Sequence, residues 1–174
     1  SALYTQNGNA SKVDVFQQRN VLVNVNLEAD GSARVTQQLT LTNATPADRA
    51  EGPPERMGYE TSWLKSAYYL YVPDSATKFK PSYPVGFTVR PFRGHRQLGG
   101  GWIDDGFGHR FIRLVGWTPP GDQSAVSVTY ELPAGTFSDG DTSGDSRTLT
   151  YRVQAEVQSL LNDSTITFQV TGPA

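Results

Sequence analysis

The sequence predicts an all-β protein, an antiparallel two-sheet β-sandwich of immunoglobulin-like type. Apolar and polar residues alternate with a period of two along most of the chain, as in strands with one buried and one solvated face. Turn sequences rich in Gly, Pro and Asp interrupt this alternation about every 8–12 residues. Helical periodicity is absent except for one candidate turn over Gln158–Asn162. A closed barrel is the alternative architecture.

The clearest element is a hairpin over residues 19–43. Asp30-Gly31 is a strong signal for a tight turn between two strands. The strand before this turn places one set of apolar residues on one face, namely Val21, Val23, Val25 and Leu27. The returning strand does the same with Val35, Leu39 and Leu41. The alternation predicts that both strands bury this face.

A loop rich in Pro, Gly and charge follows over Asn43–Ser62, and the next predicted strand is Leu64–Val72. Tyr69 and Tyr71 alternate there with apolar residues and Tyr68, so we expect both faces of this strand to be covered. Two short strands are predicted over Ala76–Lys80 and Val85–Arg90.

Four further strands complete the predicted sandwich. They lie over His109–Trp117, Ser124–Leu132, Arg147–Val157 and the segment around Phe168, with a polar loop over Pro133–Ser146. The predicted core comprises Val23, Val25, Val35, Leu39, Leu41, Val126, Val128, Tyr130, Leu149, Tyr151, Val153, Phe168 and Val170.

The 174 residues suit a single domain, which we expect over residues 12–174, with residues 1–11 as a lead-in or linker. Fifteen Lys and Arg against 17 Asp and Glu give a net charge of −2, which argues against nucleic acid as a partner. Cysteine is absent, so disulfides, thiol catalysis and Cys-based zinc sites are excluded. No apolar run reaches the ~20 residues of a membrane span, so we expect membrane attachment only through a segment outside this chain.

Two acidic or histidine-containing groups resemble metal sites. His95 and His109 flank Asp104 and Asp105. The two histidines do not have the i, i+2 or i, i+4 spacing that would preorganise them as metal ligands. We therefore favour the interpretation that they are surface loop residues. The loop carrying Asp139, Asp141 and Asp145 resembles the front half of a calcium loop. Its twelfth position is a threonine where a bidentate Glu belongs. We therefore predict a solvated loop without a tightly bound ion, and no cofactor.

No reaction is indicated by the sequence. Gly-x-Ser-x-Gly is missing, and Gly99-Gly100-Gly101 lacks the residues of a phosphate-binding loop. A glycosidase active site with two catalytic carboxylates remains an open alternative. Its candidate residues lie in predicted loops: Glu51, Glu55, Glu60, Asp104 and Asp105. Aromatic residues near predicted strand ends could either stack on sugar rings or fill the core, namely Trp63, Trp102, Phe107 and Trp117.

The Gly- and Arg-rich stretch Pro91–Gly108 is least like a plain sandwich. Its glycines make ordering costly, so it must pack through Phe92, Trp102 and Phe107 or stay mobile. Because binding residues on sandwiches usually lie in loops, we expect a ligand or partner to contact this stretch. The predicted contact residues are Arg93, Arg96 and Trp102. A long hairpin without any partner is the alternative.

Six segments follow one another along the chain: Lys12-Val-Asp-Val-Phe-Gln-Gln-Arg19, the Asp30-Gly31 hairpin closing at Leu41-Thr-Asn43, Tyr69-Leu-Tyr-Val-Pro73, Pro119-Pro-Gly-Asp122, Val128-Thr-Tyr-Glu-Leu-Pro133 and Tyr151-Arg-Val-Gln154. In this order they resemble the C-terminal region of bacterial cell-envelope proteins of the domain-of-unknown-function family 4012. The match spans most of the chain but not Pro91–His109. The resemblance implies a membrane-anchored envelope protein and carries no activity onto any residue.

The sequence therefore leads to three functional hypotheses. The first is a non-catalytic, extracytoplasmic module of a bacterial membrane-anchored envelope protein that binds or scaffolds a cell-envelope polymer or protein. The second is a carbohydrate- or wall-polymer-binding domain, which requires at least two exposed coplanar aromatic rings on one face. The third is a glycan-active enzyme, which requires two carboxylates in one cleft.

Overall fold

The computed structural model describes residues 3–8, 12–52, 61–135, 138–139, 149–150 and 164–172. The described strands are β1 (Leu3–Asn7), β2 (Gln17–Leu27), β3 (Ala33–Asn43), β4 (Leu64–Pro73), β5 (Thr77–Ser82), β6 (Thr88–Val89), β7 (Arg96–Gln97), β8 (Trp102–Asp104), β9 (His109–Thr118), β10 (Gln123–Leu132), β11 (Ser138–Asp139), β12 (Leu149–Thr150) and β13 (Ser164–Thr171). Short 3₁₀ turns occupy Lys12–Phe16, Ala47–Arg49 and Gly99–Gly101. Within these ranges, no helix has the length and apolar character needed to cross a membrane.

Eleven of these strands form two sheets that pack face to face, and β11 and β12 pair only with each other among the described strands. One has six strands in the order β1-β4-β9-β8-β7, with β6 also paired to β9, and the other has five in the order β13-β2-β3-β10-β5. Their inner faces share one apolar core, to which Leu70 and Ile112 contribute from the first sheet and Val25 and Val126 from the second. The predicted all-β, two-sheet sandwich is confirmed, and the immunoglobulin-like topology stays a prediction.

The β2–β3 hairpin forms as the alternation predicts. Gly31 adopts a φ of 79° in the turn, a value that glycine reaches without a steric penalty. The carboxylate of Asp30 stabilises this turn by accepting a 2.9 Å hydrogen bond from the backbone N–H of Ser32. Eight predicted core residues are buried, namely Val23, Val25, Val35, Leu39, Leu41, Val126, Val128 and Tyr130.

The last described strand departs from the predicted antiparallel arrangement. β13 pairs with β2 in parallel, with Phe168 opposite Val23 and Val170 opposite Val25. The five-stranded sheet is therefore mixed. Period-two alternation sets which face a residue occupies, but it carries no information on the direction of the neighbouring strand.

The prediction that Phe168 and Val170 belong to the core is wrong. Phe168 is 39% exposed and Val170 is 53% exposed, although both lie level with buried residues of β2. The physical reason is their position, since β13 is the outermost described strand of its sheet and has a described neighbour on one side only. The side chains of Leu149, Tyr151 and Val153, also predicted for the core, lie outside the described residues.

The N-terminal segment is more than the predicted lead-in. Leu3–Asn7 form β1, which pairs with β4, and the Leu3 side chain is buried in the main core. The Arg19 guanidinium on β2 donates a hydrogen bond to the backbone carbonyl of Leu3, and the Gln17 amide lies 3.4 Å from the hydroxyl of Thr5. These contacts cross from one sheet to the other, so β1 is part of the sandwich.

The strand predicted over Val85–Arg90 is shorter than expected, since only Thr88–Val89 pair with β9. Gly86 has a φ of 91°, and the Val85 side chain is fully exposed. The chain therefore turns at Gly86, a left-handed position that an alternation pattern does not reveal.

Candidate functional site

The outer face of the six-stranded sheet carries an unusual set of side chains along β4 and β9. The antiparallel register aligns four outward-facing cross-strand pairs, namely Tyr71–Phe111, Tyr69–Arg113, Ala67–Val115 and Lys65–Trp117. Tyr4 of β1 and Phe92, in the loop between β6 and β7, pack on the same side of the sheet. We call this set the aromatic face: Tyr4, Lys65, Tyr69, Tyr71, Phe92, Phe111, Arg113 and Trp117.

The rings of the aromatic face support one another. Tyr71 stacks on Phe111 with ring centroids 4.9 Å apart and planes at 25°, and Tyr4 meets Tyr71 edge-on at 5.7 Å. Phe92 contacts Tyr69 edge-on at 6.0 Å. Phe111 and Tyr69 are buried, whereas Tyr4 and Tyr71 are half-buried. The aromatic face therefore consists of buried rings that are packed against their neighbours and of other rings that are partly accessible to solvent.

Two cations are held against these rings. The guanidinium carbon of Arg113 lies 5.9 Å from the ring centroid of Tyr69 and 5.7 Å from that of Phe92. The ammonium of Lys65 lies 5.2 Å from the ring of Trp117. Such contacts are attractive because the negative face of a π-system meets a positive charge. They hold the charges at fixed positions on the sheet.

The hydroxyl of Tyr71 on this face is held in its neutral form. Burial raises the pKa of Tyr71, and the negative charge of Asp105 and the neighbouring Tyr69 raise it further. The hydroxyl of Tyr69 donates a 3.1 Å hydrogen bond to the side-chain carbonyl of Gln6. Charge on the face therefore comes from its basic side chains.

The stretch Pro91–Gly108 packs against both faces of the six-stranded sheet. Phe92 packs on the outer face, as described above, and Trp102 points into the main core, where its ring lies 4.4 Å from that of Phe79. Phe107, the third residue expected to anchor the stretch, is 85% exposed. Packing of the stretch through Phe92 and Trp102 agrees with the sequence prediction, whereas Phe107 does not contribute.

The three predicted contact residues differ in their exposure to solvent. Arg93 and Arg96 are exposed, in keeping with a contact role. Trp102 is only 4% exposed, so it has almost no surface to offer a partner and its assignment as a contact residue is wrong. Its apolar ring is more stable between the sheets than in water, and β8 is oriented to put it there.

The loop acids and histidines have structural partners. Asp105 accepts hydrogen bonds from the backbone N–H groups of Phe107, at 2.7 Å, and His109, at 3.1 Å, and its other oxygen lies 3.3 Å from Nδ1 of His109. Asp104 similarly accepts from the N–H of Gly106. These are the bonds of a tight turn. His95 packs 5.1 Å from Phe92.

No group of three His, Asp or Glu side chains that could hold a metal occurs among the described residues. Of the calcium-loop candidates, Asp141, Asp145 and the side chain of Asp139 lie outside the described residues, so that prediction is untested.

Two cavities lie at the end of the sandwich formed by the first 3₁₀ turn. The larger, about 520 Å³, is lined in part by Phe16, Arg19 and Thr165, and the smaller, about 290 Å³, by Lys12, Phe16 and Glu51. Among their described lining residues, Glu51 is the only carboxylate. Neither cavity includes a residue of the aromatic face.

Comparison with known proteins adds no relative. No protein-family model matches the chain. No curated protein matches it either. The resemblance to family 4012 therefore stays a prediction.

Proposed function

We propose that this chain is a non-catalytic, extracytoplasmic binding module of a bacterial membrane-anchored envelope protein, and that the aromatic face is its binding surface. The observation that carries the proposal is the set of half-buried rings and basic side chains on the outer side of a sandwich sheet. In a sandwich of this kind, that side meets water and is normally polar.

The other sheet of the molecule provides an internal comparison. Its outer side on β3 carries Thr36, Gln38, Thr40 and Thr42, and across β10 the hydroxyls of Thr36 and Thr129 lie 3.0 Å apart. That face is polar, as expected for a surface in contact with water. The aromatic face differs in composition and contains Tyr, Trp, Phe and Arg, residue types that are enriched at binding interfaces.

A binding role also agrees with the rigidity of the face. Phe111 and Tyr69 are fixed by their neighbours, and Arg113 lies between two rings, so little side-chain freedom remains to be lost on binding. Preorganised side chains bind more tightly because less conformational entropy is lost.

The alternative of a sugar platform receives less support from ring geometry. Tyr71 and Phe111 are the near-parallel pair on this face, but Phe111 is only 2% exposed. A sugar that stacks on two adjacent coplanar rings would therefore find one accessible ring, that of Tyr71, in this pair. Recognition by charge together with single rings fits the face better.

Binding to cell envelopes tests the proposal. The chain is mixed with purified envelopes of the source bacterium and sedimented, and Trp117→Ala is compared with Phe107→Ala and Tyr83→Ala. The two control residues are exposed aromatics outside the aromatic face. We expect Trp117→Ala to weaken binding about tenfold and both controls to bind like the parent. Equal binding by all variants with unchanged melting temperatures would contradict the proposal.

Location is tested separately with the full-length protein. Alkaline phosphatase is active only outside the bacterial cytoplasm, because its disulfides form there. A fusion placed after this chain is expected to be active. An inactive fusion, with a cytoplasmic reporter active at the same position, would place the chain inside the cell.

A further inference from the structure

The two edge strands of the five-stranded sheet differ in how they are protected against pairing with another chain. β5 carries Lys78, Lys80 and Pro81, and its register with β10 is interrupted by a shift. Charged side chains, proline and bulges are features that keep an exposed edge from accepting a further strand. β13, at the opposite edge, contains no charged residue and no proline, and its register with β2 is continuous.

The length and composition of β13 favour pairing with a further strand. It has eight residues, and six of them are β-branched or aromatic. Within the described part of the chain it pairs with β2 on one side, and no strand lies on its other side. The free side of such a strand presents backbone N–H and C=O groups to which another strand can bond. The edge strands of the other sheet are shorter, with five residues in β1 and two in β7.

The free edge of β13 is accompanied by an exposed apolar strip. Ile166, Phe168 and Val170 lie on the side of the sheet that faces the core, level with three buried valines of β2. Phe168 and Val170 are nevertheless exposed. A strand that paired with β13 and placed apolar side chains beside this strip would remove both from water, which is favourable.

The apolar pattern of β13 is complementary to itself. In an antiparallel pair of two copies with Phe168 opposite Phe168, Ile166 of each copy lies opposite Val170 of the other, so that every apolar side chain meets an apolar one. On the other side of the sheet, Thr167 lies opposite Gln169. No other antiparallel register of two copies pairs all three apolar residues in this way. Like charges that face each other would destabilise the pair, and β13 contains none.

We propose that β13 is a self-association edge, through which two copies of this chain join their five-stranded sheets into one ten-stranded sheet. The twofold axis passes between the two Phe168 residues. The same strand is used by both copies, so the contact is isologous and closes after two chains. Because each copy contributes only one strand, the interface is small, and we expect a reversible dimer that forms with rising concentration.

The pairing would place both aromatic faces on the same side of the dimer. A twofold axis between antiparallel strands of one sheet runs perpendicular to that sheet, so both six-stranded sheets lie on the same side of the joined sheet. The dimer would therefore present two aromatic faces to one cell envelope, and binding through the first would favour binding through the second. This consequence rests on the proposed function, whereas the pairing of β13 does not.

Sedimentation equilibrium over about a hundredfold range of chain concentration tests the pairing. We expect the average mass to rise from 19.0 kDa, the mass of one chain, towards twice that value and no further. Phe168→Lys places two ammonium groups opposite each other at the axis, and Phe168→Glu places two carboxylates there. We expect each variant alone to stay monomeric and an equimolar mixture of the two to dimerise, because opposite charges then face each other.

The control for these charge variants is Val85→Lys, which adds the same charge at a fully exposed residue outside β13. We expect it to dimerise like the parent. Melting temperatures of all variants are compared with that of the parent, so that a loss of dimer is not confused with a loss of fold.

Disulfide cross-linking measures the register, because the chain contains no cysteine of its own. In the proposed pair, Phe168→Cys places its thiol opposite the same thiol of the second copy. Val170→Cys lies four residues from its counterpart, about 14 Å along the strand. A disulfide requires Cα atoms within about 7 Å, so we expect Phe168→Cys to form a covalent dimer at least about tenfold faster under mild oxidation. Exposure alone would favour the opposite order, since Val170 is the more exposed residue.

Self-association through β13 is excluded if the parent keeps the mass of one chain throughout the concentration range. Dimers of Phe168→Lys as stable as those of the parent would place the interface elsewhere, and a monomeric mixture of the Lys and Glu variants would exclude the axis at Phe168. Cross-linking of Val170→Cys as fast as that of Phe168→Cys would exclude the proposed register. The proposed function is tested independently, since a monomeric chain that loses envelope binding on Trp117→Ala would still support it.

Discussion

The ring of Phe87 packs directly over the α-carbon of Gly116. A methyl group at position 116 would lie 2.3 Å from Cε2 of Phe87 and within 2.5 Å of two further ring atoms. Phe87 in turn lies 5.4 Å from the ring of Tyr68, in the middle of the main core. The glycine thus permits the loop before β6 to close over β9.

Gly116→Ala is therefore expected to destabilise the protein by about 1–3 kcal/mol, because Phe87 must move out of a packed core. Gly99→Ala is the matched control, since a methyl group there would meet no atom within 4 Å. Urea unfolding followed by tryptophan fluorescence measures both. A Gly116→Ala variant as stable as the control would show that the Phe87 ring adjusts freely.

Trp102 is predicted to hold stretch Pro91–Gly108 to the core. Trp102→Ala removes a ring that is 4% exposed and packs on Phe79, and we expect a loss of about 3–5 kcal/mol in the free energy of unfolding. Phe107→Ala, in the same stretch but 85% exposed, is expected to stay within about 0.5 kcal/mol of the parent. Denaturant unfolding of the two variants checks this, and similar losses in both would contradict the buried position of Trp102.

Asn43 is predicted to be the critical polar residue of the core. Its fully buried amide N–H₂ donates to the backbone carbonyls of Ser62, at 2.7 Å, and Thr118, at 3.0 Å, and its side-chain oxygen accepts from the hydroxyl of Thr45 at 2.6 Å. It thereby joins the end of β3 to the end of β9 and to the loop before β4.

Asn43→Ala leaves these buried carbonyls without their donor, and the expected loss is about 2–4 kcal/mol in the free energy of unfolding. The control is Gln38→Ala, on the polar outer side of the same strand, for which we expect less than about 0.5 kcal/mol. Thermal unfolding followed by circular dichroism compares the two. Equal melting temperatures would show that water replaces the Asn43 amide at no cost.

Much of the fold follows from alternation in the sequence. The side on which each residue of β4 lies is predictable, because Tyr68 and Tyr69 must point in opposite directions in any strand. The hairpin around Gly31 is predictable because its two strands are joined by a short turn with a strong local signal.

The aromatic face is less predictable because it depends on pairing between distant strands. Tyr69 lies opposite Arg113 only because β4 and β9 are neighbours in one particular register, and this register is set by tertiary packing. A usable signal existed, since outward Tyr69 and Tyr71 and outward Phe111 and Arg113 each recur with a period of two. The contact role predicted for Trp102 is wrong because its Gly-rich surroundings conceal a short strand that faces inward, whereas the packing role predicted for the same residue agrees with the structure.

The last prediction concerns Tyr68, whose hydroxyl lies near the hydroxyls of Ser66, Thr118 and Ser124. Burial raises the pKa of Tyr68 to about 12, and these neighbours oppose the shift only in part. In the unfolded chain the phenol ionises near pH 10, whereas in the folded protein it stays neutral to higher pH. The resulting stabilisation is complete below pH 10 and is lost as the pH rises from about 10 through 12.

Tyr68→Phe removes this ionisation while keeping the ring in the core. We expect the free energy of unfolding of the parent to fall between pH 10 and 12 by about 2 kcal/mol more than that of Tyr68→Phe. Urea unfolding across this range measures the difference, and Tyr83→Phe, which alters an exposed phenol, is the control. Parallel pH profiles for the parent and Tyr68→Phe would contradict a raised pKa, because the ionisation of a buried phenol must appear as a difference between them.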